Sequence, residues 1–371
     1  MLGYVSFMPN VLGPVMPFLR DELHLSYTQG GLLFSAIACG MIVSGLTADR
    51  VVDRRGRRFA LWTGAAVSTA GVACLALNRH PTLGIAAGLF MGLGSSLSVV
   101  IVQAVLSDKY GSERATALTE ANVAASASPV LAPLLVGAFQ RLGVGWRGVL
   151  LLPAIILGLI AAQFRNTRIP RAQRSIIEGK KVGERSLPAG FWAYWIVIFL
   201  SVSIEWCLIV WGADYLEQGI GLRKVNAATA MSVFLLAMLI GRIAGSRLTH
   251  ILRPASILLL AFGIGLAGFL FFWRAGIPIV NLAGLFLAGL GVANLFPLAM
   301  ALAIGTAPGQ SDIASARVFL GTGAAILLAP ILLGWAADRI AIQNALGMVA
   351  LMLVVAFAVS LTSSDLGFRR S

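Results

Sequence analysis

A chain of 371 residues that is 58% hydrophobic and only 12% charged, with a mean hydropathy of +0.88, cannot clothe itself in polar surface as a water-soluble domain does. Soluble domains run at roughly 45–50% apolar and about 25% charged residues. The net charge of +13, from 28 Lys and Arg against 15 Asp and Glu, would suit nucleic acid on a soluble surface. Here the bases fall in short breaks between apolar runs, so the partner they imply is a lipid bilayer and not nucleic acid.

Apolar runs bounded by charge, Pro or Gly place helical spans near 1–19, 27–50, 58–77, 82–107, 113–140, 147–165, 189–213, 222–248, 253–273, 277–304, 311–336 and 340–362. Twelve spans of about 20 residues occupy roughly 240 positions, which the chain can supply with short loops to spare. The first run, MLGYVSFMPNVLGPVMPFL, has no basic leader before it and reads as a retained helix. The longest polar break, NTRIPRAQRSIIEGKKVGERSLP at 166–188, falls halfway along. The expected fold is therefore all-α and integral to the membrane: a six-helix bundle over 1–165, a basic cytoplasmic linker over 166–188, and a second six-helix bundle over 189–371.

Cys39, Cys74 and Cys207 all lie inside apolar spans, as small hydrophobes do, and show no metal-ligand spacing. His24, His80 and His250 stand far apart near loops, so neither a metal centre nor an enzyme's nucleophile is expected.

Lys and Arg divide unevenly between the two sets of loops. With the N-terminus inside, the inner loops and tail hold 18, concentrated at 50–58, in the central linker and at Arg247, Arg253, Arg369 and Arg370. The outer loops hold eight, and Arg242 and Arg317 lie within spans. This bias places both termini in the cytoplasm of a multi-pass cell-membrane protein, inner or plasma.

The halves repeat each other. GLFMGLG at 88–94 returns as GLFLAGLG at 284–291, and LAPLLVGA at 131–138 returns as LAPILLGW at 328–335. Gly92 to Gly289 and Pro133 to Pro330 share one offset of 197 residues. Parallel repeats related by an axis along the membrane normal are how many transporters build a site between two pseudo-symmetric halves.

The loop after the second span reads Gly45-Leu-Thr-Ala-Asp49-Arg50-Val-Val-Asp53-Arg54-Arg55-Gly56-Arg57-Arg58. Gly45 leaves room for a neighbouring helix, and Asp49, one turn later on the same face, can meet the positive end of a helix dipole. Together with the duplication, this loop resembles the major facilitator superfamily of secondary transporters. That family's motif is Gly, three variable residues, Asp-Arg, one variable residue, Gly and two basic residues. Gly45, Asp49 and Arg50 match its first part, and Gly56, Arg57 and Arg58 its last. The extra residues between, with the second pair Asp53-Arg54, depart from it. The resemblance implies twelve spans in two bundles that rock about a central site. It also implies a gating role for this loop, with the span that begins near Ser311-Asp312 as Asp49's neighbour.

Four ionisable residues lie within spans, where an unpaired charge costs a few kcal/mol by insertion scales and is by default a functional signal: Glu120, Glu205, Arg242 and Arg317. Glu120 and Arg317 stand 13 residues before Pro133 and Pro330, equivalent positions of opposite charge. With the family's packing, the matching depths suggest two inter-half gating bridges on the cytoplasmic side, Glu120 with Arg242 and Asp49 with Arg317, closed when the site faces outward and open once the halves rock. Glu205, in SVSIEWCLIVWGADYL, has no basic neighbour in its own span. It suits a proton carrier, with Glu120 a second candidate. Trp206 and Trp211 offer aromatic walls for an amphipathic solute, and the stretch is similar to one in fucose- and glucose-type sugar symporters. Asn10, Gln103, Asn122 and Asn294 complete the candidate substrate contacts, each able instead to tie helices together. The run ASASPVLAPLLVGA lacks the Gly-Pro pattern of the family's drug antiporters.

The function expected is secondary active transport of a small solute by alternating access, coupled to protons. A sugar or organic acid is favoured, and a drug or metabolite efflux antiporter is the alternative. A non-transporting receptor or scaffold ranks behind both. No phosphate-cradling loop occurs, so an ion gradient, H+, replaces any cofactor, and the chain is expected to act as a monomer.

Overall fold

The computed structural model describes residues 1–110, 114–164, 167, 187–307 and 310–368. The basic linker expected at 166–188 falls almost wholly outside the described residues. Among the described residues the chain is α-helical throughout and carries nine helices long and apolar enough to cross a membrane. The elements are α1 (Leu2–Leu23), α2 (Tyr27–Leu77), α3 (Pro81–Tyr110), α4 (Arg114–Arg141), α5 (Trp146–Phe164), α6 (Ala189–Gln218), α7 (Lys224–Leu248), α8 (Pro254–Arg274), α9 (Pro278–Val292), α10 (Leu295–Gly305), α11 (Ser311–Ala345) and α12 (Gly347–Phe368).

Two differences from the sequence expectation have clear local causes. The spans expected at 27–50 and 58–77 appear as one 51-residue element, broken at Gly56, whose φ of 82° and ψ of 161° no helix tolerates. At 1.5 Å per residue a straight helix of that length would reach about 75 Å, far beyond a bilayer core of about 30 Å. The element doubles back at Gly56, and both arms pack on α3. A side chain at Gly40 would strike the Leu89 carbonyl at 2.3 Å, and one at Gly71 the Ala87 carbonyl at 2.8 Å. The span expected at 277–304 is instead interrupted at Ala293-Asn294, dividing α9 from α10. There the Asn294 amide donates to the Gly241 carbonyl of α7 at 2.7 Å.

The first five helices and the last seven meet along a seam formed by α1 against α6, α2 against α11, and α4 against α7. One end of this seam is tight. A side chain on Gly31 would meet the Ile331 backbone at 2.6 Å, one on Gly334 the Tyr27 carbonyl at 2.5 Å, and one on Gly137 the Thr229 hydroxyl at 2.0 Å. Charge reinforces the contact. Asp338 of α11 accepts from the Tyr27 and Thr28 amides at 2.7 and 2.8 Å and from the Thr28 hydroxyl at 2.5 Å. A carboxylate is thereby set on the N-terminus of α2, where the helix dipole favours it. Arg20 of α1 reaches Asp214 of α6 at 2.5 Å, with its guanidinium over the Tyr27 ring. Lys224 of α7 pairs with Asp21 of α1.

Toward the other end the same helices part. Ser35 still donates to the Leu327 carbonyl at 2.6 Å, and a side chain on Gly323 would stand 3.3 Å from Ile42. One turn further, Gly45 has nothing within 4 Å of where its side chain would be. The close approach expected at Gly45 is therefore not made in this conformation, because α2 and α11 have already diverged.

Asp338→Asn removes the carboxylate from the α2 N-terminus, an interaction worth roughly 1 kcal/mol. In a background lacking the three native cysteines, it is expected to raise maleimide labelling of Ser35→Cys about fivefold, by that same energy. An unchanged rate would show that the Asp338 carboxylate does not hold the tight end.

Candidate functional site

A cavity of about 230 Å³ lies between the halves, just beyond the tight end of the seam. α1 contributes Ser6 and Asn10, α4 contributes Ala125, Ser126 and Pro129, α6 contributes Glu205, Trp206 and Ile209, and α7 contributes Leu235, Met238, Leu239 and Arg242. Each group arrives by helical spacing: Leu235, Met238, Leu239 and Arg242 follow the i, i+3, i+4, i+7 pattern of one face of α7. Asn10 keeps its amide partly occupied by donating to the Ser6 carbonyl one turn earlier, at 2.9 Å.

The charges in this cavity belong to one ion pair. Arg242 Nη2 donates to Glu205 Oε1 at 3.3 Å, and Arg242 Nη1 donates to the Ser126 hydroxyl at 3.3 Å. The side chains are 41% and 18% exposed, so both open into the cavity and neither is sealed in a core. Arg242 thus ties α7 to α6 within its own half and to α4 across the seam. Trp206 lines the same wall and meets Phe34 of α2 edge to face, with ring centroids 6.4 Å apart.

Neither expected bridge is formed in this conformation. The carboxylate paired with Arg242 is Glu205, not Glu120; Glu120 lies on the exposed surface of α4. Asp49 and Arg317 are both exposed and form no ion pair among the described residues. The Arg317 carbonyl instead accepts from Trp195 Nε1 at 2.8 Å. Within the arginine loop, Asp53, Arg50 and Arg58 are exposed, and Arg57 binds Asp108 at the end of α3 at 2.5 Å, a contact inside one half.

Among the expected substrate contacts, Asn10 and Trp206 line the cavity and join Glu205 there. Trp211 does not. It is fully buried and donates from Nε1 to the Pro330 carbonyl of α11 at 2.9 Å, because five residues further along α6 point it into the seam. Asn294 is likewise spent between α9–α10 and α7, and Gln103 is half-buried on α3, outside the lining. The Asn122 side chain lies outside the described residues.

Ser6, Ser126 and the apolar face of α7 are site residues that sequence reasoning missed. Small hydroxyls in apolar helices are too common to stand out, but the α7 face could have been found by following i, i+3, i+4 and i+7 back from Arg242. The clamp at the tight end was missed as well. Asp214, 1% exposed, is an acid inside an apolar run and carries the same signal as Glu205.

The sequence profile described as Major Facilitator Superfamily matches residues 2–282. The chain is 26% identical over 308 residues to multidrug resistance protein MdtL of Escherichia coli O157:H7, covering 82% of this chain and 78% of that protein. It is 25% identical over the same length and coverage to MdtL of Shigella dysenteriae serotype 1. Its fold is similar to that of a bacterial homolog of the human lysosomal transporter Spinster, solved in an inward-facing and occupied conformation. That match has a TM-score of 0.79 at 16% identity and covers 98% of this chain and 95% of the other. The nucleoside transporter NupG also matches, with a TM-score of 0.73 at 11% identity, covering 98% and 96%.

The two tryptophans should separate by stability. Trp211→Phe deletes the hydrogen bond to the Pro330 carbonyl across the seam and is expected to lower stability by roughly 1 kcal/mol in thermal melts of the purified protein. Trp206→Phe, which removes no such bond, is expected to stay within about 0.5 kcal/mol of the parent. Equal losses would contradict these assignments.

Proposed function

The chain belongs to the Major Facilitator Superfamily and is a multi-pass membrane transporter rather than an enzyme; from that premise we propose that it moves a small amphipathic solute by alternating access, coupled to protons through Glu205. The observation that carries this reading is the cavity itself, built from both halves and holding an ion pair at the point where the seam changes from tight to open.

We count twelve passes in two six-helix bundles. The two arms of α2 supply two, α9 and α10 together supply one, and α4 and residues 347–362 join the remaining long helices. The bundles take up 1–165 and 189–371. With 18 basic residues on one side against eight on the other, the termini and the open end face the cytoplasm. The tight end, with Asp338, Arg20 and Lys224, then forms the outer gate, and the conformation is inward-open. The arginine loop sits on the open side, where Gly45 and Asp49 would meet α11 only after the halves rock closed. One chain contains the whole cavity, so a monomer suffices.

A cavity of about 230 Å³ is smaller than the roughly 300–1,000 Å³ of drug-sized pockets, which favours a sugar or organic acid. Efflux of a larger amphipathic compound is the second reading. It is supported by the apolar wall of Leu235, Met238 and Leu239 and by the relatives named as multidrug resistance proteins.

In lightly buffered proteoliposomes, a panel of sugars, small acids and cationic dyes is expected to include a solute that drives pH change through the parent protein. Glu205→Gln is expected to abolish that change while leaving solute exchange measurable. Solute flux with no proton movement in either protein would remove Glu205 from the coupling.

A further inference from the structure

We propose that the central cavity takes a small organic anion, with Arg242 as the group that holds it and Glu205 as the built-in occupant that the anion replaces. The proposal rests on the transport reading above and adds the substrate's charge.

Arg242 and Glu205 are the only charged side chains among the described residues lining the cavity. Around Glu205 the cavity is lined by Ser6 and Asn10 of α1, Ser126 of α4 and Arg242 of α7, of which Arg242 contacts its carboxylate. As found, the two charges cancel. A charged solute can enter only if one of them is relieved, and the two are not equivalent. A carboxylate can be neutralised by taking up a proton, whereas a guanidinium stays charged at every pH the protein meets. The accessible one-charge state of the site is therefore the arginine cation beside a protonated Glu205, and that state attracts an anion. The opposite state, a carboxylate beside a neutral arginine, which would attract a cation, does not form.

The geometry agrees. Both contacts of Arg242 are single and, at 3.3 Å, longer than the roughly 2.7–2.9 Å of a charge-assisted bond. Its fork can bind a carboxylate through two parallel bonds, and here it is held by one oxygen of Glu205 and one hydroxyl. At 41% exposure the guanidinium already faces the cavity. Trp206, Leu235, Met238 and Leu239 give the solute's apolar body a wall, and Asn10 offers a further polar contact. The charge balance is complete. One proton moves onto Glu205, one monoanion replaces it on Arg242, and the loaded site has the same net charge as the empty one. Transport of such a solute is electroneutral and indifferent to membrane potential.

The test is direct binding to the purified full chain by titration calorimetry, with benzoate and the permanently charged benzenesulfonate as anions and tetraphenylphosphonium as the cation. The parent is expected to bind the anions about tenfold more tightly at pH 5.5 than at pH 8. Glu205→Gln is expected to bind them equally at both pH values, as tightly as the parent does at pH 5.5. Arg242→Gln is expected to lose them. Because that variant leaves Glu205 unpaired, the double variant Glu205→Gln/Arg242→Gln, which strands no charge, serves as the folded control and should lose them as well. Anion binding that survives in the double variant overturns the proposal. So does failure of Glu205→Gln to bind either anion, or preferential binding of tetraphenylphosphonium that Glu205→Gln abolishes. Proton-linked flux of a neutral sugar would overturn the anion and keep the transporter. Anions bound as expected but never moved in proteoliposomes would keep the anion and overturn the transport.

Discussion

Everything in this structure hangs on the seam where α2 and α11 touch backbone to backbone. Gly31 against Ile331 and Gly334 against Tyr27 bring the two helices closer than any side chain permits. In a bilayer, where apolar side chains gain nothing by leaving lipid, such small-residue contacts and the hydrogen bonds beside them are what hold helices together. The tightness at one end makes the seam a wedge. It narrows to nothing at Asp338 and Thr28, passes Ser35 and Leu327, and has opened by the level of Gly45. A cavity between the halves follows from that shape.

The wedge also decides which charges can meet. At its closed end the halves are joined by Arg20 with Asp214, Lys224 with Asp21, and a carboxylate on a helix N-terminus. At its open end Asp49 and Arg317 stand exposed and apart. Between them the Glu205–Arg242 pair lines the cavity, with Arg242 the more exposed partner. Arg242 reaches both Glu205 of α6 and Ser126 of α4. A change in what occupies Arg242 is therefore felt on both sides of the seam, the condition for coupling a site to a rocking motion.

The family and the helical architecture were legible in the sequence because they depend on composition and repetition. The offset of 197 residues linking Pro133 to Pro330, and the loop from Gly45 to Arg58, are patterns that need no coordinates. Glu205, Arg242, Trp206 and Asn10 were legible as individuals, since a polar or charged group in an apolar run asks for a reason. Their pairing was not. Depth along the membrane put Glu120 level with Arg242, but depth does not tell which side of α4 faces the cavity, and Ser126 rather than Glu120 takes that face. Trp211 was misassigned for the same reason: five positions past Trp206 turn a helix face well away from the cavity, into the contact with Pro330. The open space around Gly45 could not be read at all, because the motif gives the residue types of the loop and not the separation of α2 and α11 at that level.

The central claim is that the two ends of the seam open in turn. Spin labels at His80 and Arg223 report the width of the closed end, and labels at Arg54 and His250 that of the open end; all four side chains are exposed. Pulsed dipolar distances would be taken in liposomes with a proton gradient of either sign. The account predicts that the gradient which widens one pair narrows the other, in anticorrelated populations. Two distances that change together, or that stay fixed under both gradients, would contradict it.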